Sequence, residues 1–170
     1  MKNRIILIFL FLMPAAVLLY AGGSMDQARG GITVSNGGAF YLYSGTVSGN
    51  NGHEGGVVIL SNGTFIMEGG SVSDNSGASG VVVVNGTFTM KDGVISGNTA
   101  DENGGGVYIN RSDFYKIGGT IYGNDAEPIL RNTTGAQGHA LYWVTSPDKW
   151  RNETAGPSVN SGDPGFWAND

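Results

Sequence analysis

The amino-acid sequence predicts an all-β solenoid. One segment recurs four times, and in each copy a Phe stands five residues before a Gly and an Asn stands five residues after it. The Asn residues are Asn50, Asn75, Asn98 and Asn124, which gives spacings of 25, 23 and 26 residues. A sustained period of this size is typical of solenoids, propellers and repeat arrays. As a second observation, each copy contains short β-branched runs entered through glycine, which indicate strands.

Each repeat holds three candidate strands, separated by Asn-Gly or Gly-Gly pairs. In the second copy they are Val57–Leu60, Thr64–Met67 and Gly70–Ser73. Because side chains alternate along a strand, one face of each is expected to point inward. The expected inward residues are Ile32, Val34, Phe40, Leu42 and Val47 in the first copy, Val57, Ile59, Phe65, Met67 and Val72 in the second, and Val81, Val83, Phe88, Met90 and Ile95 in the third. The opposite face is mostly polar, with Val58, Leu60, Val82 and Val84 as apolar exceptions.

Strands with one common inward face fit a coil that winds once per repeat. Each coil would stack on the next at about 4.8 Å, so that equivalent residues form ladders of Phe, Val and Asn. Hairpins are the alternative, because Asn-Gly is a strong hairpin signal. A hairpin pairs neighbours within one repeat, however, and leaves the long period unexplained.

The fourth copy departs from the pattern. Keeping Phe114 inward would also turn Lys116 inward, and burying an unpaired ammonium is unfavourable. We therefore expect a one-residue slip that points Tyr115 and Ile117 inward and leaves Phe114 exposed. Further along, the repeat loosens, and a fifth strand is expected within His139–Val144. The prediction is thus about four coils plus a degenerate C-terminal coil.

The N-terminus has the layout of a secretory signal peptide. Lys2 and Arg4 precede the apolar stretch 5–20, and small residues follow. We expect a signal helix over 1–23, cleaved after Ala21 or Gly23. An uncleaved anchor is the alternative, since the stretch approaches the roughly 20 residues of a membrane helix. The expected organisation continues with 24–30 as a linker or cap, 31–157 as the parallel β-helix and 158–170 as a C-terminal tail.

The composition of the chain argues against some classes of partner and excludes some kinds of site. The 170 residues suit one domain, and the net charge of -5 argues against a nucleic-acid partner, which needs clustered Lys and Arg. Removing Lys2 and Arg4 would make the charge -7. The chain has no Cys, which excludes disulfides and thiolate metal sites.

Three motifs carry a resemblance to a known family. Gly-Gly-Val-x-Val, Gly-Thr-Phe-x-Met and Gly-x-Ile-Ser-Gly-Asn-x-Ala resemble the repeats of bacterial right-handed parallel β-helix surface proteins, over about residues 30–126. Those proteins are adhesin-like and similar in fold to the pectate-lyase superfamily. The resemblance implies an exported, non-catalytic adhesin-like or structural module at the cell surface, in the periplasm or outside the cell. Its ligand would be a protein or a glycan, and membrane contact would occur only through an uncleaved N-terminal segment.

A polysaccharide lyase or glycoside hydrolase on the same fold is the alternative function. Such enzymes need clustered carboxylates for acid and base steps. Glu68 and Asp92 are expected near the same turn of adjacent repeats, with Lys91 beside them, so these are the best catalytic candidates. Solvated turn charges are the ordinary explanation of such residues. We assign no catalytic, cofactor-binding or metal-ligating residue and expect no cofactor.

Other polar features have structural and functional interpretations. The Asn ladder could present amides to a glycan, but stacked turn amides are the favoured explanation. His53 and His139 lack ligand-spaced partners, so metal binding is not expected. Asp101-Glu102 and the segment 125–127 are expected on one edge, as solvated loops or as a site for a cation or basic partner. The three Trp residues are expected to form an end cap, with sugar stacking as the alternative; they are Trp143, Trp150 and Trp167.

Five Asn-x-Ser/Thr sequons also occur in the chain. They begin at Asn62, Asn85, Asn110, Asn132 and Asn152. Asn-Gly-Thr is simply the turn of the repeat, so glycosylation is not expected.

Overall fold

A computed structural model describes residues 18–21, 30–123, 126–136, 138–144 and 151–152. It confirms the all-β prediction, because the described chain forms a parallel solenoid of about four coils. Equivalent strands of successive coils pair in parallel, residue for residue, as in Phe65 with Phe88 and Val57 with Val81. The hairpin alternative is therefore wrong. The right-handed winding stays a prediction.

The strands follow the coils in chain order. β1 (Leu18–Ala21) precedes a first coil of β2 (Gly30–Val34), β3 (Ala39–Leu42) and β4 (Thr46–Ser48). The second coil contains β5 (Gly55–Leu60), β6 (Thr64–Met67), β7 (Ser71–Ser73) and β8 (Ser76–Gly77). The third contains β9 (Ser79–Val84), β10 (Thr87–Met90), β11 (Val94–Ser96) and β12 (Thr99–Ala100). The fourth contains β13 (Val107–Asn110), β14 (Asp113–Lys116), β15 (Thr120–Ile121) and β16 (Thr133–Thr134), after which β17 (Leu141–Trp143) and β18 (Arg151–Asn152) begin another coil.

Four sheets run along the solenoid, and we number them in the order in which each coil passes through them. The first sheet is β2-β5-β9-β13-β17, and the second is β1-β3-β6-β10-β14-β18. The third is β4-β7-β11-β15, and the fourth is β8-β12-β16. The sequence predicted three strands per repeat and missed the two-residue strands of the fourth sheet. These follow the ladder Asn of each coil, where the backbone is extended for only two residues.

The core is the set of inward residues that the alternation predicted. Most of these side chains are fully buried in one continuous cluster, against which Ile32 and Val47 pack at the first coil. Its centre is a stack of phenyl rings from Phe40, Phe65, Phe88 and Phe114. The ring centroids are 4.9, 4.7 and 5.1 Å apart. Trp143 then meets Phe114 edge-on at 6.4 Å, so it covers the last described ring of the stack, whereas the end cap of three Trp residues stays a prediction.

A ladder of amides runs beside this core, with one correction to the prediction. Asn50, Asn75 and Asn98 form it as expected, but the next member is Asn132, 34 residues after Asn98. Asn124 lies outside the described residues. The fourth coil is longer because its chain makes an excursion through 126–131 before it returns to the ladder, and a strict period cannot foresee such an insertion.

Asn75 and Asn98 each bond to the ladder amide before them and to the one after them. Nδ2 of Asn98 donates to Oδ1 of Asn132 at 2.9 Å and to the carbonyl oxygen of Val72 at 3.0 Å. Oδ1 of Asn98 accepts from the backbone N–H and the Nδ2 of Asn75. Asn75, Asn98 and Asn132 are almost completely buried, so a structural role explains the ladder.

The expected slip in the fourth copy is wrong. β14 keeps the register of β10, so Phe114 and Lys116 are both buried, whereas Ile117 is exposed. The phenyl stack favours this register because Phe114 continues it. The ammonium group of Lys116 is accommodated by donating to the carbonyl oxygens of Gly119 at 2.8 Å and Gly118 at 3.3 Å. Burial lowers the pKa of Lys116.

Most of the predicted signal helix lies outside the described residues. The exception is Leu18–Ala21, which forms β1 and pairs antiparallel with β3 instead of being helical. The outer edge of β3 offers unpaired backbone groups, and an apolar, β-prone segment satisfies them. In the described part of the chain, no helix is long and apolar enough to span a bilayer.

Candidate binding groove

The outward face of the first sheet carries the apolar exceptions noted in the sequence. In this sheet the inward residues fill the core, so the alternate residues point away from it. One outward row runs Thr33, Val58, Val82, Tyr108 and Tyr142, and a second runs Leu60, Val84 and Asn110. Val58 and Val82 are buried even though they face away from the core. This face is therefore partly covered by other parts of the coils.

A groove of about 330 Å³ lies on this face. Its floor is formed by the outward side chains of Leu60, Val82, Val84 and Tyr108. Its walls come from the loops that lead into the strands of the first sheet, and they contain His53, Glu54, Ala78, Asp101, Glu102 and Asn103. We call this set of residues the binding groove. It draws on the second, third and fourth coils, so no single repeat contains it.

Backbone hydrogen bonds hold the walls in place. The N–H of Ala78 donates to the carbonyl oxygen of His53 at 3.1 Å, and the N–H of Asp101 donates to that of Gly77 at 2.8 Å. The hydroxyl of Thr134 donates to the carbonyl oxygen of Glu102. Each wall segment is thus fixed to the coil beside it, and its side chains are left to point into solvent or into the groove.

The rim of the binding groove is acidic. Asp101 and Glu102 are exposed, and Glu54 is half-buried. Within the described residues, no hydrogen bond or ion pair engages the carboxylate of Asp101 or of Glu102. Both carboxylates are therefore available to a ligand. The groove combines an apolar floor with negative charge at its edge, which is the chemistry of a binding site with few oriented polar groups.

An aromatic pair extends the floor toward the C-terminal end. The rings of Tyr108 and Tyr142 stack with centroids 6.0 Å apart and an angle of 17° between their planes. Both side chains are half-buried and stand in the same outward row as Val82. A planar ligand group could therefore lie against Tyr108 where the groove ends.

The catalytic candidates do not line the binding groove. Nζ of Lys91 lies 2.8 Å from Oε1 of Glu68, and this hydrogen bond raises the pKa of Lys91. Oδ1 of Asp92 instead accepts from the backbone N–H of Gly93 at 2.7 Å. The structure thus brings Glu68 and Lys91 together, as the repeat predicted, but turns Asp92 toward its own turn.

The acidic edge predicted from the sequence is only partly assembled. Asp101 and Glu102 line the binding groove, whereas Glu127 is exposed and does not, and residue 125 lies outside the described residues. Among the parts of the chain that are described, no group of three or more His, Asp or Glu side chains could hold a metal ion. His53 lies on the groove wall, and His139 is half-buried outside it.

The sequons fall in two different environments. Asn62 and Asn85 are exposed on turns and border a second, polar groove of about 270 Å³ together with Arg111. Asn132, by contrast, is buried in the amide ladder, so its side chain is already engaged. Trp150 and Trp167 lie outside the described residues.

The sequence analysis identified several residues of the binding groove but did not predict that they line one groove. Val58, Leu60, Val82 and Val84 were apolar where the pattern called for polar residues, which is the signal of a covered outward face. The loops that form the walls could not be placed, because their conformation depends on bonds between coils. Comparison with protein-family models, with curated proteins and with solved structures found no match to this chain.

Proposed function

We propose that this chain is an exported, non-catalytic, adhesin-like module that binds a protein or a glycan through the binding groove. The observation that carries the proposal is an apolar groove on the outward face of a rigid sheet, bordered by available carboxylates. An outward sheet face of a soluble solenoid is ordinarily polar, and a sheltered apolar one is typical of interaction sites. The signal-like N-terminus supports an address outside the cytoplasm.

The placement of the acids supports a role without catalysis. Glycoside cleavage needs two carboxyl groups facing one bond across a cleft. Glu68 is held by Lys91, and Asp92 is bonded to the backbone of its turn. The enzymatic alternative can be tested directly with an Asp92→Asn variant. This substitution preserves the Oδ1 acceptor of that turn and removes the carboxyl group that would act as acid or base.

The proposal is tested by measuring binding to a glycan array and to a panel of extracellular proteins. Val84 is half-buried on the groove floor, and we expect Val84→Thr to weaken the strongest binder about fivefold by placing a hydroxyl in the contact. Val94→Thr is the matched control. Val94 is also half-buried, but its neighbours in adjacent coils are Ser71 and Thr120, so a hydroxyl fits there.

Two results would count against this function. Equal weakening by both substitutions would mean that the groove is not the contact surface. New reducing ends or unsaturated products from acidic polysaccharides, lost in Asp92→Asn, would establish the enzymatic alternative instead.

A further inference from the structure

The chemistry of the binding groove selects one class of ligand. We propose that it holds an extended, basic segment of a partner protein, in which Lys or Arg side chains lie along the floor with their cationic ends at the rim. This inference rests on the proposed binding function and names its ligand. Three features of the groove support it, namely its floor, its rim and the aromatic residue at its end.

The floor suits the stem of a long cationic side chain. Leu60, Val82 and Val84 offer branched aliphatic surface and no hydrogen-bonding group. Lys and Arg cover such surface with their methylene groups while keeping the charge in water. A volume of about 330 Å³ admits side chains rather than a folded element. The ligand should therefore be an extended segment that inserts its side chains.

The rim suits the cationic end of the same side chain. Asp101 and Glu102 come from the loop that leads into β13, and Glu54 comes from the loop that leads into β5, two coils earlier, so carboxylates border the groove at two levels of the stack. A guanidinium or ammonium group beside Asp101 and Glu102 would form charge-assisted hydrogen bonds, which are shorter and stronger than neutral ones. Because the Asp101 and Glu102 carboxylates have no competing partner in the described residues, binding breaks no existing ion pair.

The aromatic end favours Arg in particular. Tyr108 lines the groove and is backed by the ring of Tyr142, which holds its plane. A guanidinium group stacks on such a ring face more readily than an ammonium group does. An Arg side chain that follows the floor from Val84 toward Tyr108 would meet apolar surface, ring and carboxylate in turn.

The charges also disfavour acidic polysaccharides as ligands. The chain has a net charge of -5, and the rim adds local negative charge, so an anionic ligand would be repelled and a basic one attracted over a distance. A neutral glycan would find few polar partners on a floor made of Leu and Val. Of the two ligand classes under the proposed function, protein is thus the better match.

The test uses the purified protein and three labelled peptides that differ only in charge. In the first peptide Arg alternates with Val, and in the others Gln or Glu replaces Arg. Fluorescence anisotropy is measured at about 0.1 M and about 1 M salt. We expect the Arg peptide to bind, the Glu peptide not to bind, and the affinity to fall at high salt.

Variants then locate the binding site. Asp101→Asn combined with Glu102→Gln should weaken the Arg peptide at least about tenfold, since both charge-assisted bonds are lost. Asp92→Asn, which removes a charge outside the groove, should change the affinity less than about twofold. Both side chains on the rim are exposed, so the double variant should fold, and thermal unfolding checks this.

Each contrary outcome has its own meaning. Equal binding of the Arg and Gln peptides, or equal effects of the two variants, overturns the basic-segment assignment. A glycan that depends on Val84 while no basic peptide binds also overturns it but leaves the proposed function in place. A self-association in sedimentation that the double variant abolishes would make a second copy the occupant. If no ligand responds to Val84→Thr, the proposed function fails as well.

Discussion

Asn98 joins three consecutive coils through one side chain. Its amide bonds to Asn75 in the coil before and to Asn132 in the coil after, and it also holds the carbonyl oxygen of Val72. Because the amide is buried, each unmade bond would cost about 1–3 kcal/mol. The ladder therefore fixes the register between coils as well as adding stability. Asn at this position has no equivalent replacement, since both donor and acceptor are used on the same side chain.

Lys116 is the one buried cation of the described core. It occupies the position that Met67 and Met90 hold in the preceding coils. The phenyl stack and the strand register place it there, and its pKa is lowered because burial disfavours the charged form. Burying Lys116 is unfavourable, but the same strand register lets Phe114 continue the favourable phenyl stack.

Replacing this cation should stabilise the protein. At neutral pH we expect Lys116→Met to raise the free energy of unfolding by about 1 kcal/mol, since well-packed apolar residues commonly outperform buried ions. Urea denaturation measures the change. A loss of stability would mean that the bonds to Gly118 and Gly119 outweigh the burial of the charge.

The advantage of Lys116→Met should shrink at high pH. Burial holds the pKa of Lys116 in the folded protein below its ordinary value of 10.5, so the folded protein releases this proton at a lower pH than the unfolded chain does. Stability of the unsubstituted protein therefore gains from this group as pH rises from the lowered pKa toward 10.5. Comparing the two proteins at each pH cancels the other titrating groups. A difference that stays constant up to pH 10.5 would contradict this account.

Among the strands, β9 shows why glycine precedes the β-branched run. A Cβ atom added to Gly80 would lie 2.7 Å from Cγ of Asn98 and 2.7 Å from the carbonyl oxygen of Gly106. The amide ladder passes directly over this residue. The Gly that begins the β-branched run and the ladder Asn therefore contact each other in the fold, although they lie in different parts of the sequence motif.

The close approach of Asn98 to Gly80 predicts that even a methyl side chain at Gly80 lowers the stability strongly. We expect Gly80→Ala to lower the free energy of unfolding by about 3 kcal/mol, because the ladder or the backbone must shift. Gly135→Ala is the control, since the nearest atom to its added Cβ is 3.4 Å away. Chemical denaturation of both variants gives the comparison. Similar stabilities would show that the ladder yields easily at Gly80.

The elements differ in how much the sequence revealed. Alternation and period fixed which side chains of β5, β6, β9 and β10 point inward, because both are local properties. The register of β14 was wrongly predicted, because the cost of burying Lys116 was weighed without the gain from stacking Phe114. The member of the ladder after Asn98 was missed for a similar reason: an insertion breaks the period, and only contacts between coils identify Asn132. The walls of the binding groove depend on the same contacts.

Core residues in the middle of the solenoid are expected to contribute more to stability than equivalent residues at its ends. Phe88 stacks on rings both above and below it, whereas the one described ring beside Phe40 is Phe65. In a chain of stacked coils, a central residue contributes to two interfaces and a terminal one to a single interface.

Position in the stack should therefore decide the effect of the same substitution. We expect Phe88→Leu to destabilise the protein about 1 kcal/mol more than Phe40→Leu, the value of one additional ring pair. Thermal and urea unfolding of the two variants provide the measurement. An equal or reversed order would imply that ring contacts matter less than the volume each Phe fills.

The amide ladder and phenyl stack also bear on how such a chain can change over generations. The second and third coils present equivalent ladder groups above and below, so an added or deleted copy of such a coil would find matching partners and lengthen or shorten the stack by about 4.8 Å. The binding groove has no such freedom, because its floor and walls come from three successive coils. Duplication or deletion of one repeat can therefore change the length of the solenoid with little effect on its folding. The binding groove, in contrast, is kept only if the three coils that form it stay adjacent.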